Sequence, residues 1–372
     1  MKKILIPILI LLAIIAASQI LPFFTSDLLA KKYDSFALKE AMYYEKLDKQ
    51  QVQCILCPRR CIIPNKRRGF CRARENRDGT LYSIVYGKAC ALNVDPIEKK
   101  PLFHVLPSTK SFSIATAGCN LACKFCQNWQ ISQSSPEEVP YENVPPEGVV
   151  RLARDNNCPT IAYTYTEPTI FYEYMLDTAK LAHESGVKNV MHSAGFINEG
   201  PLRKLCKYLD AANIDLKGSD KFYNEISLGN RQDVLRTLKI LKEEGVWTEI
   251  TYLVIPTLND NMDYVRQTCL WIKENLGPDT PLHISRFWPT YKLKNLSPTP
   301  VSTLEKAGEI AKAAGLRYVY IGNVPGHKGE TTYCPYCYKV LIERIGYNVV
   351  ENNIKDGKCK FCKNKIEGIW AE

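Results

Sequence analysis

The chain reads as an α/β fold, a partial or full TIM-type barrel with a small cysteine-rich module at each end and a hydrophobic helix at its amino terminus. Three observations predict it. From residue 111 onward short β-rich runs alternate with amphipathic stretches of helix length; most of the fifteen cysteines fall in CxxC-type groups; and residues 4–24 form an apolar run. Strand–helix alternation means βαβ units and a parallel sheet. Six or seven such units make a full or partial barrel, with its reactive groups at the carboxyl ends of the strands.

Taken in order, the elements begin with Met1, Lys2 and Lys3 followed by the apolar run. About twenty such residues span a bilayer. A cleaved signal peptide is the alternative, since Ala16, Ala17 and Ser18 supply small residues behind an apolar stretch of the right length. Residues 25–51 read as a polar linker, partly helical because Leu38, Ala41, Met42 and Leu47 recur at helical spacing. An amino-terminal cysteine-rich module covers 52–105, the barrel 106–325 and a carboxyl-terminal module 326–372. Within the barrel the strand candidates are 111–117, 160–164, 189–192, 213–216, 248–255, 282–287 and 317–321. The helix candidates are 149–156, 170–185, 232–244, 264–275 and 303–314.

Composition narrows the function. A chain of 372 residues that is 45% hydrophobic and 24% charged can bury a sizeable core, which excludes a disordered or collagen-like protein. The net charge of +10 comes from scattered Lys and Arg with no aromatic-interleaved basic stripe, so no nucleic-acid partner is expected. Cysteines grouped at metal-ligand spacing favour metal over disulfides, and hence a reducing compartment.

The most specific signal is Cys119, Cys123 and Cys126, a CxxxCxxC run directly after the first strand candidate. Three thiolates on one tight loop can hold three corners of a 4Fe–4S cubane, and the spacing supplies no fourth protein ligand. The open iron can bind a small molecule. The plainer alternative is a zinc knuckle or packed thiols. Phe125 beside the last cysteine and the Gly118-Cys119-Asn120 entry resemble the radical S-adenosylmethionine (SAM) superfamily. That resemblance implies that the amino and carboxylate groups of SAM occupy the open iron.

Further candidates end the later strands. Glu167, before Pro168, is similar to the acidic residue of the GGEP motif in that superfamily, with Tyr165 and Thr166 in place of the glycines. It is expected to accept a hydrogen bond from the SAM ammonium; helix capping is its plainer role. Gly195 is expected to allow close backbone approach to the ribose or adenine, and His192 to hydrogen-bond the ligand. Asn213, Asp215 and Lys217 share one strand face by the period of two, with Lys217 expected to meet the SAM carboxylate. His283, Arg286 and Tyr291 are candidate substrate contacts. Lys217, His192 and Tyr291 are the catalytic candidates, and Glu167, Gly195, Asp215 and Lys217 the cofactor-binding ones.

Within the superfamily, residues 52 to the carboxyl end resemble the pyruvate formate-lyase activating enzymes, and more closely the radical SAM enzyme of the AmmeMemoRadiSam system. The strings behind the closer resemblance are 54–61, 95–102, the Cys119 loop with Gln127, Asn128 and Trp129, and 322–327. It implies a SAM-dependent radical reaction and AMMECR and Memo type partner proteins, with no settled substrate. Against the activating enzymes, His192 replaces an Asp and Tyr291 a His, while Lys217 agrees. The alternatives are therefore a glycyl-radical-enzyme activase or, from a different class, a zinc-ribbon binding or scaffold protein with an inactive barrel. SAM and a low-potential electron donor such as ferredoxin or flavodoxin are cytoplasmic supplies, so a membrane anchor with its catalytic part in the cytoplasm is expected.

Two outer cysteine sets complete the reading. Cys334, Cys337, Cys359 and Cys362 form two CxxC knuckles around a hairpin-like segment at 340–353 and suit tetrahedral zinc, with a second Fe–S cluster as the alternative. Cys54, Cys57, Cys61 and Cys71 make a looser set beside Arg59 and Arg60, for which zinc is again favoured. Cys90, Cys158, Cys206 and Cys269 read as packed thiols.

Overall fold

The computed structural model describes residues 38–371. Its centre is an eight-stranded sheet formed by β1 (Ala91–Pro96), β2 (Lys110–Ala115), β3 (Thr160–Tyr163), β4 (Lys188–Ser193), β5 (Ala211–Asp215), β6 (Trp247–Val254), β7 (Leu282–Arg286) and β8 (Val319–Gly322). The strands lie in chain order, β2 to β8 all parallel, with β1 added antiparallel to β2 at one edge. Among the described residues no pairing joins β1 to β8, so the barrel is partial. The parallel strands are almost continuously apolar because helices cover one face and barrel contents the other.

The covering helices are α1 (Pro146–Asp155), α2 (Tyr172–Glu184), α3 (Glu199–Cys206), α4 (Arg231–Glu243), α5 (Met262–Leu276) and α6 (Val301–Ala313). Their starts follow local chemistry. Pro146 opens α1, where its missing N–H costs nothing, while Asn230 and Asn261 cap α4 and α5 by accepting from backbone amides of the first turn. Seven strands and five helices thus arise where the alternation places them. The short α3 and the antiparallel β1 are additions that the alternation did not indicate.

Residues 97–106 close the amino-terminal mouth of the sheet. Ile97, Leu102, Val105 and Leu106 pack on Ala162, Val190 and Ala211, and Glu249 accepts the amides of Phe103 and His104 at 3.0 and 2.8 Å. Ligand access is therefore confined to the opposite, carboxyl edge.

Residues 38–51 form short strands, Lys39–Glu40 and Tyr44–Lys46, where a partly helical linker was expected. Their backbone groups pair with Thr80–Ser83 and Val52–Cys54, so sheet addition overrides the helical spacing. The same module is tied to α2 by a buried ion pair between Arg74 and Glu173. Removing one partner of such a pair costs about 3–5 kcal/mol.

The anticipated membrane placement requires correction. Among the described residues no helix is long and apolar enough to cross a membrane. The stretch 4–24, on which both the anchor and the signal peptide rested, lies outside the described residues.

Candidate active site

The loop that leaves β2 carries Cys119, Cys123 and Cys126 to the carboxyl edge of the sheet. Neighbouring loops fix its path by backbone hydrogen bonds: Ala122 N donates to Ser227 O and Lys124 N to Ile226 O, both at 3.0 Å, and Gly118 N to Ile131 O at 2.9 Å. Gly118 has φ +102°, and a Cβ there would stand 2.3 Å from the carbonyl oxygen of Cys71, so only glycine allows this close approach. Leu121, Phe125, Phe196, Phe222 and Phe287 wall the cysteines with apolar surface. Burial pushes the Cys119 thiol well above its ordinary value and Cys123 up to about 11. A coordinated cation reverses that trend, since a metal-bound thiol is deprotonated.

Glu167 stands at the end of β3, 2% exposed. Its Oε1 accepts from Ser193 Oγ at 2.6 Å, Thr169 Oγ1 at 2.8 Å and Thr169 N at 3.2 Å, while Oε2 accepts from Ala194 N at 2.8 Å. The carboxylate thus caps the turn at Pro168–Phe171 and also braces the end of β4. Capping and a ligand role are compatible here, because Oε2 has taken a single donor and keeps lone-pair capacity.

At the end of β5, two strands away, Asp215 joins two of the other candidates. Its Oδ1 lies 3.0 Å from His192 Nε2 and its Oδ2 accepts from Lys217 Nζ at 2.6 Å. Burial opposes the charge of Asp215, but Lys217 and His192 outweigh it and hold the carboxyl well below the usual range. Burial likewise opposes the ammonium of Lys217, and Asp215 outweighs it, so both stay ionised around neutral pH. The alternation of β5 places Asp215 and Lys217 on one side as expected. Asn213, one step deeper, donates instead to Pro101 O and accepts from Thr251, which makes it part of the floor.

The remaining candidates separate. Gly195 has φ +67°, and a Cβ there would meet Ile214, Thr237 and Val234, the first at 3.0 Å, so packing between β5 and α4 also requires glycine here. His283 lies near the amino end of β7, buried against Glu249 at 2.6 Å, far along the strand from the open edge. Arg286 donates from Nε to Thr299 O and lies over the face of Trp288. Tyr291 stacks on Trp129 with ring centroids 5.2 Å apart, beside the cysteine loop. The sequence reading missed Asn128, which ties the cysteine loop to Tyr165 O at 2.8 Å, and Ser193, which links Glu167 to Gly195 N. Asn128 lies within a string already singled out, but nothing in its type marks it as a tether.

Residues 113–269 match the family model of the radical SAM superfamily. Over 332 residues, 89% of this chain and 99% of the relative, the sequence is 50% identical to the uncharacterized protein MJ0808 of Methanocaldococcus jannaschii. The chain contains a radical SAM domain. It is also 25% identical to the pyruvate formate-lyase-activating enzyme of Clostridium pasteurianum over 165 residues, 42% of this chain and 66% of that enzyme. Among solved structures, a domain of the pyruvate-formate lyase-activating enzyme from Bacteroides vulgatus aligns with 44% of this chain and 98% of its own at 13% identity, with a TM-score of 0.39.

A radical SAM domain implies an enzyme with a 4Fe–4S cluster and SAM. The residues present fit that group: three free thiols on one loop, an apolar wall that excludes water, and buried Thr116 Oγ1 and Ser227 Oγ without hydrogen-bond partners beside it. Cys119, Cys123 and Cys126 would hold the iron.

The outer cysteine sets differ from each other. Cys334 and Cys362 have sulfur atoms 3.6 Å apart, and Cys337 and Cys359 3.7 Å. A tetrahedral ion with metal–sulfur bonds of about 2.3 Å needs sulfurs about 3.8 Å apart, so the carboxyl-terminal group is set for one metal ion. Cys54, Cys57, Cys61 and Cys71 instead line a shared pocket that reaches Asn120 of the cysteine loop, without gathering in this way.

Proposed function

We propose that this radical SAM enzyme cleaves SAM reductively and uses the product radical to take a hydrogen atom from an organic substrate. The observation that supports it most is the cysteine loop at the open edge of the sheet, with ionised Asp215 and Lys217 and the partly unsatisfied Glu167 around it. Cys119, Cys123 and Cys126 would hold the cluster, which would supply the single electron that reductive cleavage of SAM to methionine and a 5′-deoxyadenosyl radical requires. The chain's own residues position and desolvate. Glu167 Oε2 accepts from the SAM ammonium; Lys217, held by Asp215, attracts its carboxylate; His192 borders the same charge pair; and the phenylalanine wall keeps water from the radical. Tyr291 and Trp129 form the rim against which substrate is held. The electron comes from a low-potential donor of the ferredoxin or flavodoxin class.

The carboxyl-terminal four-cysteine group takes zinc as a structural ion. AMMECR and Memo type proteins are the proposed partners, supported by the resemblance of the strings 95–102 and 322–327 alone. A glycyl-radical activase is the second reading, favoured by similarity to the Clostridium pasteurianum enzyme. The reconstituted chain, given dithionite and SAM under anaerobic conditions, is expected to form 5′-deoxyadenosine, and Cys123→Ala to form none. Equal product from that variant would refute the assignment. Formation of a protein glycyl radical in a mixed partner protein would select the second reading.

A further inference from the structure

The amino-terminal module carries a further set of four cysteines, for which sequence spacing alone favours zinc. Cys54 ends the strand Val52–Cys54, Cys57 and Cys61 lie on the loop that follows and Cys71 on a later turn, yet all four line a single pocket. All four are free thiols. Around one ion their sulfurs would be gathered as in the carboxyl-terminal module. Among the described residues, however, only Cys334, Cys337, Cys359 and Cys362 form a group of sulfurs within 4.8 Å of one another. The amino-terminal sulfurs surround their pocket at wider separation, a property they share with Cys119, Cys123 and Cys126. In a four-iron cubane each thiolate binds a different iron, so the ligand sulfurs stand further apart than around one ion.

The lining points the same way. Arg74 is 1% exposed, brings Nη1 to 3.9 Å from Cys54 Sγ, and leaves its Nε buried without a partner. Asn120 Oδ1 at the same pocket is also buried and unpartnered. Gly69 leaves room on a further side: a Cβ there would come within 3.9 Å of both Cys61 Sγ and Cys71 Sγ. Arg74 is already paired with Glu173, so what it adds at the pocket is a buried N–H donor aimed at Cys54 Sγ, and a donor to a thiolate favours its ionised, metal-binding form. The pocket is also joined to the SAM-cluster loop, through Gly118 against Cys71 O and through Arg59 Nε, which donates to Asn120 O at 2.5 Å.

We propose that Cys54, Cys57, Cys61 and Cys71 hold a second iron–sulfur cluster, of the four-iron class, in contact with the loop of the first. The site has four protein ligands and no open iron, which sets it apart chemically from the Cys119 centre.

The test uses the full chain, reconstituted anaerobically with iron and sulfide, with iron, acid-labile sulfide and zinc measured per chain. Wild type is expected to hold about eight irons, and a chain with Cys119→Ala, Cys123→Ala and Cys126→Ala combined about four, with a Mössbauer spectrum of a four-iron cluster. In the reverse variant, Cys57→Ser with Cys61→Ser, iron should again halve while the reduced cluster still responds to SAM by electron paramagnetic resonance. A loop variant free of iron that carries two zinc ions per chain overturns the proposal. So does a Cys57→Ser, Cys61→Ser chain with wild-type iron. A loop variant that retains all wild-type iron would support this site while sinking the assignment of Cys119, Cys123 and Cys126, so the two readings fail separately.

Discussion

In the carboxyl-terminal module, four sulfurs close on a point with pair distances of 3.6 and 3.7 Å, whereas among the described residues the three at the sheet edge form no such group and feel the charges of Glu167, Asp215 and Lys217. The difference separates a site built for holding from one built for reacting. A closed tetrahedron of thiolates has no vacancy, so its ion contributes folding free energy and nothing else. Three thiolates on a cubane leave one iron to exogenous ligand, and the surroundings supply charges to orient it. Hence the first site sits over a small satellite core of Phe103, Tyr318, Tyr320, Leu341 and Ile342, and the second at the mouth of the barrel.

The largest expected effect strikes the closed site. Cys334→Ser or Cys362→Ser should lose one zinc per chain and with it on the order of 10 kcal/mol of folding free energy in the module, which is then expected to melt in hydrogen exchange. Iron bound at Cys119, Cys123 and Cys126 should survive. Loss of iron and zinc together would mean that the two regions are not independent.

Glu167→Ala probes the open site. It leaves Ser193 Oγ and Ala194 N without their acceptor, at a cost of about 3 kcal/mol in stability, and should weaken SAM binding at least tenfold with iron unchanged. Calorimetric titration with SAM checks this. Unchanged affinity in a destabilised variant would reduce Glu167 to a brace.

The floor that joins the regions is expected to be acid-sensitive. His104 Nε2 accepts from Tyr320 Oη and its Nδ1–H donates to Glu367 O, both at 2.7 Å, so the buried ring is neutral. Burial pushes it down to about 4. The unfolded chain, near the ordinary value of about 6.5, then binds the proton more readily, and stability is lost as pH falls from 6.5 to 4, by about 3 kcal/mol in all. His104→Gln should flatten that part of the profile in denaturant titrations; an unchanged slope would place the acid-sensitive group elsewhere.

The smallest effect belongs to Gly195→Ala, with a Cβ 3.0 Å from Ile214 and a positive φ. About 1–2 kcal/mol of stability should be lost while the KM for SAM is kept. A raised KM with unchanged stability would restore Gly195 to the ligand site.

What could be read beforehand divides along physical lines. Strands and helices of the barrel were legible because each parallel strand is an apolar run and each helix has one buried face; 160–164 and 282–287 fall within a residue of β3 and β7 at each end. The cysteine loop was legible because its spacing is itself the chemistry. Residues 38–51 were misread, since four apolar residues at helical spacing carry less weight than the strand edges they meet. His283 was misplaced for another reason: strand position tells which face a residue occupies, while what fills the space opposite it depends on Glu249 and on the plug at 97–106. Asp215 between His192 and Lys217 needed the register of β4 against β5, where His192 stands opposite Asn213.

The most direct test of an open, reactive site is spectroscopic. In the anaerobically reconstituted and reduced chain, addition of SAM should shift the electron paramagnetic resonance signal of the cluster at Cys119, Cys123 and Cys126, because three protein thiolates would leave one iron free to take SAM as a ligand. The shift should be absent when those three cysteines are replaced by alanine. A reduced cluster at these cysteines whose spectrum does not respond to saturating SAM would contradict the account.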